Sequence, residues 1–185
     1  LALWGTAPVP VLAAQARLAE DAGFESVWVI DSQLLCRDVF LTLAACLAAT
    51  ATLKVATGVT NPRTRHVSAA AGALATLAEL YPGRMMAGVG TGFSSLRTIG
   101  LGAAKLSELE AFTRDLRVLL GGGTVTFSQG VIGGVDWLSD HDAPAVPVLI
   151  AASGPRTSRL AGRIADGAIL LQGVAPDLVA RSLEW

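Results

Sequence analysis

Along this chain, short unbroken apolar runs alternate with longer stretches in which apolar residues return every three or four positions, and the two patterns predict strands and helices respectively. Strands are predicted at 26–30 (SVWVI), 53–57, Met85–Val89, 146–151 and 167–171, with 1–4 as the tail of another. Helices are predicted at 11–22, 39–50, 68–80, 105–120, 156–165 and 176–185. The stretch 105–120 has the clearest amphipathic pattern: Leu106, Leu109, Phe112, Thr113, Leu116 and Leu120 share one face, with Glu108, Arg114, Asp115 and Arg117 outward. In 11–22 the apolar face gathers Leu12, Ala16, Leu18, Ala19 and Ala22, and Gly23 follows as a C′ glycine would.

Strands that are apolar throughout and lie between helices suggest a parallel sheet covered on both faces. Strand and helix alternate about six times, interrupted at 124–137, where glycines between Val125, Phe127, Val131 and Ile132 suggest a hairpin or excursion. This rhythm selects an α/β fold, either a (β/α)8 TIM-type barrel or an open doubly wound sheet. Polar or glycine-rich residues follow four of the strands: Asp31, Thr60-Asn61, Thr91-Gly92 and Ser153-Gly154. A barrel gathers all such strand ends at one mouth, whereas an open sheet uses mainly its switch point, so the barrel is expected. It is truncated to about six βα units, with an insertion after the fourth helix. The expectation for 1–185 is a single incomplete domain, with about two units to follow Trp185.

Composition narrows the function classes. Hydrophobic residues make up 52% of the 185 and charged residues 16%, enough to bury a sizeable core. A formal net charge of −1 offers no basic surface for nucleic acid or anionic lipid. Charged residues cut every apolar run short of a membrane span, and no basic stretch leads into an apolar one at the start, so a cytoplasmic location is expected. Cys36 and Cys46 fit no zinc or C-x-x-C pattern and read as reduced thiols. His66 and His141 lack a second histidine at ligand spacing, so no metal site is expected, and His141 reads as a solvated loop residue. No G-x-S-x-G elbow supports a hydrolase.

The chemistry therefore rests on the strand ends. Gly90-Thr91-Gly92, followed by Ser94, Ser95 and Thr98, lets backbone amides approach a ligand, or simply turns a strand into a helix. GVGTG lacks the third glycine of a dinucleotide fingerprint and follows the fourth strand, which argues against a Rossmann NAD site. Ser153-Gly154-Pro155-Arg156 opens a helix and offers amides, a hydroxyl and a cation to a phosphate or carboxylate, or is an ordinary capped helix start. Gly58-Val59-Thr60-Asn61 is either a structural turn or part of a site. Asp31, ending an apolar strand, needs a cap, a partner such as Arg37, or a ligand.

Four ordered motifs, AGFESVWVID, TGVTNPRTRH, GVGTGFSSLRTIGL with AKLSELEAF, and AASGPRTSRLAGRIADGAIL, together resemble the luciferase-like monooxygenase superfamily. The nearest likeness within it is to coenzyme F420 (deazaflavin)-dependent 5,10-methylenetetrahydromethanopterin reductase-like oxidoreductases. The resemblance implies a β/α barrel holding the cofactor ring at the carboxyl ends of the strands, and an insertion that fits 124–137. It implies a cis peptide between Gly58 and Val59 behind the ring, with Asp31, Thr60 and Asn61 near it. Gly90, Thr91, Gly92, Ser153, Gly154, Pro155 and Arg156 would hold the ribityl and phosphate portion. The chain departs from the family in two places: Phe93 stands where G-x-G-D-S has aspartate, and Ser32 where some members have histidine.

The expected function is hydride transfer between coenzyme F420 and a small organic substrate, with Asp31 supplying polarity at the active centre. The alternatives are an FMN-dependent luciferase-like monooxygenase and a non-catalytic truncated barrel. A homo-oligomer is expected, because an incomplete barrel leaves an open apolar sheet edge.

Overall fold

A computed structural model describes residues 1–138 and 145–185, so His141 lies outside the described residues. The elements in order are β1 (Ala2–Leu3), α1 (Val9–Asp21), β2 (Ser26–Val29), α2 (Val39–Ala49), β3 (Lys54–Thr57), α3 (Val67–Leu80), β4 (Met85–Val89), α4 (Phe93–Thr98) and α5 (Leu106–Leu120). There follow β5 (Thr124–Thr126), β6 (Ile132–Gly134), β7 (Val148–Ala152), α6 (Pro155–Ile164), β8 (Gly167–Leu170) and α7 (Pro176–Leu183). Six strands form one sheet in the order β1-β2-β3-β4-β7-β8. Every pairing in it is parallel, with Trp28 opposite Ala2 and Ala56, and Gly88 opposite Leu149. The result is an incomplete β/α barrel.

The strands obey a period of two that their uniformly apolar sequences conceal. Val27, Val29, Val55, Met85, Ala87, Val89, Val148 and Ile150 are buried in one continuous core with Leu12, Leu43, Leu47, Leu74, Leu116 and Leu160 of the covering helices. Each such leucine removed from water contributes about 1.5–3 kcal/mol. The alternate positions, Trp28, Ile30, Ala151 and Ile169, look into a cavity on the other face.

Local signals explain the element ends. Gly23, at φ +81°, closes α1 in a Schellman motif: its N–H donates to the Glu20 carbonyl, and that of Phe24 to Ala19. Asp38 caps α2 by accepting from the Phe40 and Leu41 amides, and His66 Nδ1 caps α3 by accepting from Ser68. At the amino ends of the strands, the Glu20 carboxylate accepts from the amides of Ala51, Thr52 and Leu53 and from the Thr52 hydroxyl. These bonds pull its pKa down to about 2.

Two expectations change. Leu18 is 66% exposed, because it lies roughly 240° around α1 from Leu12; it flanks the β1 edge with Trp4 and Phe24. The turn after β4 contains a short helix, α4, anchored by fully buried Leu96. The excursion at 124–137 is, as expected, an antiparallel hairpin, β5 with β6, placed after the helix predicted at 105–120, which α4 makes the fifth in order. The hairpin is pinned to the barrel by Phe127, whose ring centroid lies 5.4 Å from that of His66.

Candidate functional site

The carboxyl ends of β2, β3, β4, β7 and β8 converge on a cavity of about 600 Å³. Its wall is largely apolar, with Trp28, Ile30, Val59, Ala151, Ile169 and Leu171, and a polar strip runs along one side through Asp31, Ser32, Ser94 and Ser95. Such a volume and mixture suit a small-molecule or cofactor site. Asp31 is the one ionisable side chain on this wall among the described residues.

Asp31 sits just past β2 and is only 5% exposed. Its partner is Arg65, whose Nε lies 3.4 Å from Oδ2, and not Arg37, which donates to the Thr6 carbonyl. Burial pushes the Asp31 pKa above the usual carboxylate range, while the Thr60 hydroxyl and Arg65 oppose the shift. The Thr60 hydroxyl is buried without a hydrogen bond of regular geometry, close enough to Asp31 to favour its ionised form. Arg65 also bonds Asp38 at 2.8 Å and lies over the Phe40 ring, 4.7 Å from its centroid.

Behind the cavity, β3 and β4 part company. Thr57 Oγ1 accepts from the Gly88 amide at 2.9 Å, in place of a backbone partner, and donates at 2.8 Å to the Gly88 carbonyl, which also accepts from the Thr60 amide at 2.9 Å, where the chain turns into the Gly58–Val59 peptide. That peptide is cis, as the resemblance implied. Val59 faces the cavity so closely that a Cβ on Gly90 would stand 2.7 Å from its Cγ2.

Of the residues singled out in the sequence, the wall includes Asp31, Gly58, Val59, Gly90, Thr91, Gly92 and Ser153. Thr60 and Asn61 are fully buried behind it. Asn61 has spent its amide: Nδ2 donates to Thr64 Oγ1 and Ser95 Oγ, and Oδ1 accepts from the Arg63 and Thr64 amides. Its work is to brace the 92–95 turn, joined there by Gln33, which donates to the Ser95 carbonyl at 2.8 Å, and by Ser32, whose hydroxyl pairs with Ser94 at 3.1 Å. Gly154 is the N-cap of α6 and Pro155 its first residue, while Arg156 lines a neighbouring groove with Lys105 and Ser107. Trp28 and Ile169 carry no local mark of a site and are identified by the period of two along the strands once register is known; nothing local marks Arg65.

Among the described residues no group of three or more His, Cys, Asp or Glu could hold a metal ion, and no helix is long and apolar enough to cross a membrane.

The profile of the luciferase-like monooxygenase family matches residues 5–184. An F420-dependent glucose-6-phosphate dehydrogenase of Nakamurella multipartita is 39% identical over 93% of this chain and 55% of its own length. A 5,10-methylenetetrahydromethanopterin reductase of Methanolobus tindarius is 34% identical over 88% of this chain and 50% of its own. The solved structure of the coenzyme F420-dependent tetrahydromethanopterin reductase from Methanopyrus kandleri superposes with a TM-score of 0.77 at 25% identity, covering 92% of this chain and 54% of that one. The chain thus spans about half the length of the curated relatives it matches. With its profile matched almost end to end and its parallel barrel strands meeting at one cavity, the chain belongs to the luciferase-like monooxygenase family.

Proposed function

We propose that the chain is the cofactor-holding part of an F420-dependent oxidoreductase that moves a hydride between the deazaflavin and a small organic substrate. The observation that carries this reading is the largely apolar cavity with Asp31 as the lone ionisable side chain on its described wall. The residues present fit the cofactor: Val59, Trp28 and Ile169 offer flat apolar surface for a ring, and the Gly90–Gly92 backbone and Ser153 offer polar groups to a phosphorylated side chain. When bound, a deazaflavin supplies a ring carbon that accepts or donates hydride.

The protein's own part is then orientation, exclusion of water and one proton. In oxidation of an alcohol to a carbonyl, the Asp31 carboxylate would take the hydroxyl proton while the bound cofactor served as hydride acceptor. In the reverse direction protonated Asp31 returns it. The Gly58–Val59 segment, backed by Thr57, and the braced 92–95 turn would shape the wall against a ring.

The six strands leave β1 and β8 as edges, with Trp4, Leu18 and Phe24 exposed beside one and Leu171 and Leu183 beside the other. Such open apolar edges support one barrel domain of which the chain forms part, working as a homo-oligomer. The test is to titrate the protein with F420 and with FMN and to follow cofactor reduction by candidate alcohols. Tight F420 binding with substrate-dependent reduction supports the proposal. Retention of FMN with NADH-driven oxygen consumption points to the monooxygenase reading, for which the family's name is the ground, and overturns it. Binding of neither leaves a non-catalytic barrel portion.

A further inference from the structure

We infer that Arg65 is a positioning residue: by dividing its guanidinium between Asp31 and Asp38, it sets the aim and the protonation state of the one ionisable side chain on the described cavity wall. The inference rests on the reading of Asp31 as the proton acceptor of the site.

The geometry is specific. Arg65 comes from the β3–α3 loop, outside the lining of the cavity, and reaches Asp31 from behind through Nε at 3.4 Å. A second guanidinium nitrogen donates to Asp38 Oδ2 at 2.8 Å, and the guanidinium plane is held over Phe40, which packs against the core. Asp38 is itself fixed, since its other oxygen caps α2. The cation is thus held by two groups of α2 and by the carboxylate it serves, so it cannot swing into the cavity without giving up the Asp38 bond and the Phe40 contact.

This arrangement does what a proton acceptor in a dry cavity needs. Burial with no cation near shifts a carboxylate toward its protonated form, which cannot accept a proton, whereas a carboxylate in a tight bidentate pair holds its charge too firmly to take one up readily. Here Arg65 makes a single long contact to one carboxylate oxygen instead of a bidentate pair, and Asp38 draws off the stronger of the two Arg65 bonds. The charged groups that face Asp31 are Arg65, which lowers its proton affinity, and Asp38, which raises it; Thr60, Ser32 and Ser94 are uncharged.

The test is a carboxyl NMR titration of Asp31 in the cofactor-free protein, with thermal melting of each variant alongside. Arg65→Met is expected to raise the Asp31 midpoint by about one pH unit, a tenfold gain in proton affinity, and Arg65→Lys to restore part of the shift. Asp38→Asn, which keeps a good N-cap residue, is expected to lower the midpoint. In the holoenzyme the acidic limb of the pH–rate profile should move in the same directions. An unchanged midpoint in folded Arg65→Met overturns the inference, and so does an unchanged midpoint in both Arg65→Lys and Asp38→Asn should Arg65→Met fail to fold. A merely structural Arg65 would lower the melting temperature and leave the titration where it was. Because the titration needs no cofactor, failure of F420 to bind would count against the proposed function and leave this result standing.

Discussion

Asn61 fills the space beside Gly92: a Cβ on Gly92 would stand 2.7 Å from the Asn61 carboxamide carbon. Gly92 is also in the left-handed region, at φ +73°. The glycine therefore meets two demands at once, and only one of them is conformational. Replacement by alanine should cost about 1–3 kcal/mol for the backbone alone, with a further loss as Asn61 is driven off Ser95 and Thr64. Gly83→Ala is the control, since Gly83 has a similar φ of +74° but open space around it. Urea unfolding should show Gly92→Ala as the more destabilised of the two; equal losses would mean that the Asn61 brace yields freely.

Thr57 is fully buried and its hydroxyl serves both polar groups of Gly88. Thr57→Val keeps the shape but strands the buried Gly88 N–H, worth about 1–3 kcal/mol when unsatisfied, while the Gly88 carbonyl keeps the Thr60 amide at 2.9 Å. Thr57→Ser retains the hydroxyl and should lose much less, chiefly the packing of one methyl group. Chemical denaturation of the pair separates the hydrogen bonds from the volume.

Glu20 should govern part of the acid sensitivity. Its pKa is about 2 in the folded chain against an ordinary value of 4.5, so its contribution is present above 4.5 and is lost as pH falls from there through about 2. Glu108, bonded to Arg63 through both carboxylate oxygens, is likewise held at about 2. Melting temperature measured between pH 5 and pH 2 should fall less steeply in Glu20→Gln than in the parent. Parallel curves would show that the amide bonds to Glu20 persist in the unfolded ensemble.

Phe93 is 68% exposed on the cavity rim, with the Arg97 guanidinium 5.5 Å from its ring centroid. If the polar contact of the G-x-G-D-S pattern applies at this rim, Phe93→Asp should tighten deazaflavin binding, read by fluorescence titration. An unchanged dissociation constant would show that the aromatic rim has replaced that contact.

Much of this architecture is written in local pattern. Period and punctuation alone locate the strands, most of the helices and the hairpin, because strand and helix formation depend on neighbours a few residues apart, and glycines such as Gly23 stop helices by their own conformational freedom. The strand-end rule also leads to Asp31, Gly58, Gly90 and Ser153, since in a parallel barrel any residue just past a strand faces the common mouth. Leu18 and α4 escape the pattern for the converse reason: a barrel edge leaves an apolar side chain exposed, and a six-residue helix is too short to show a period.

What the sequence by itself determined is the α/β alternation and the set of strand ends from which the site is made. Only the tertiary structure decided how those residues divide their labour. Asp31 takes Arg65 instead of the nearer Arg37, and Asn61 turns away from the cavity to hold the 92–95 turn. Partner choice across 34 residues, as between Asp31 and Arg65 or Asn61 and Ser95, depends on where separate strands place their loops in space. No spacing along the chain encodes that placement; it follows from strand register and from helices packed against one shared core.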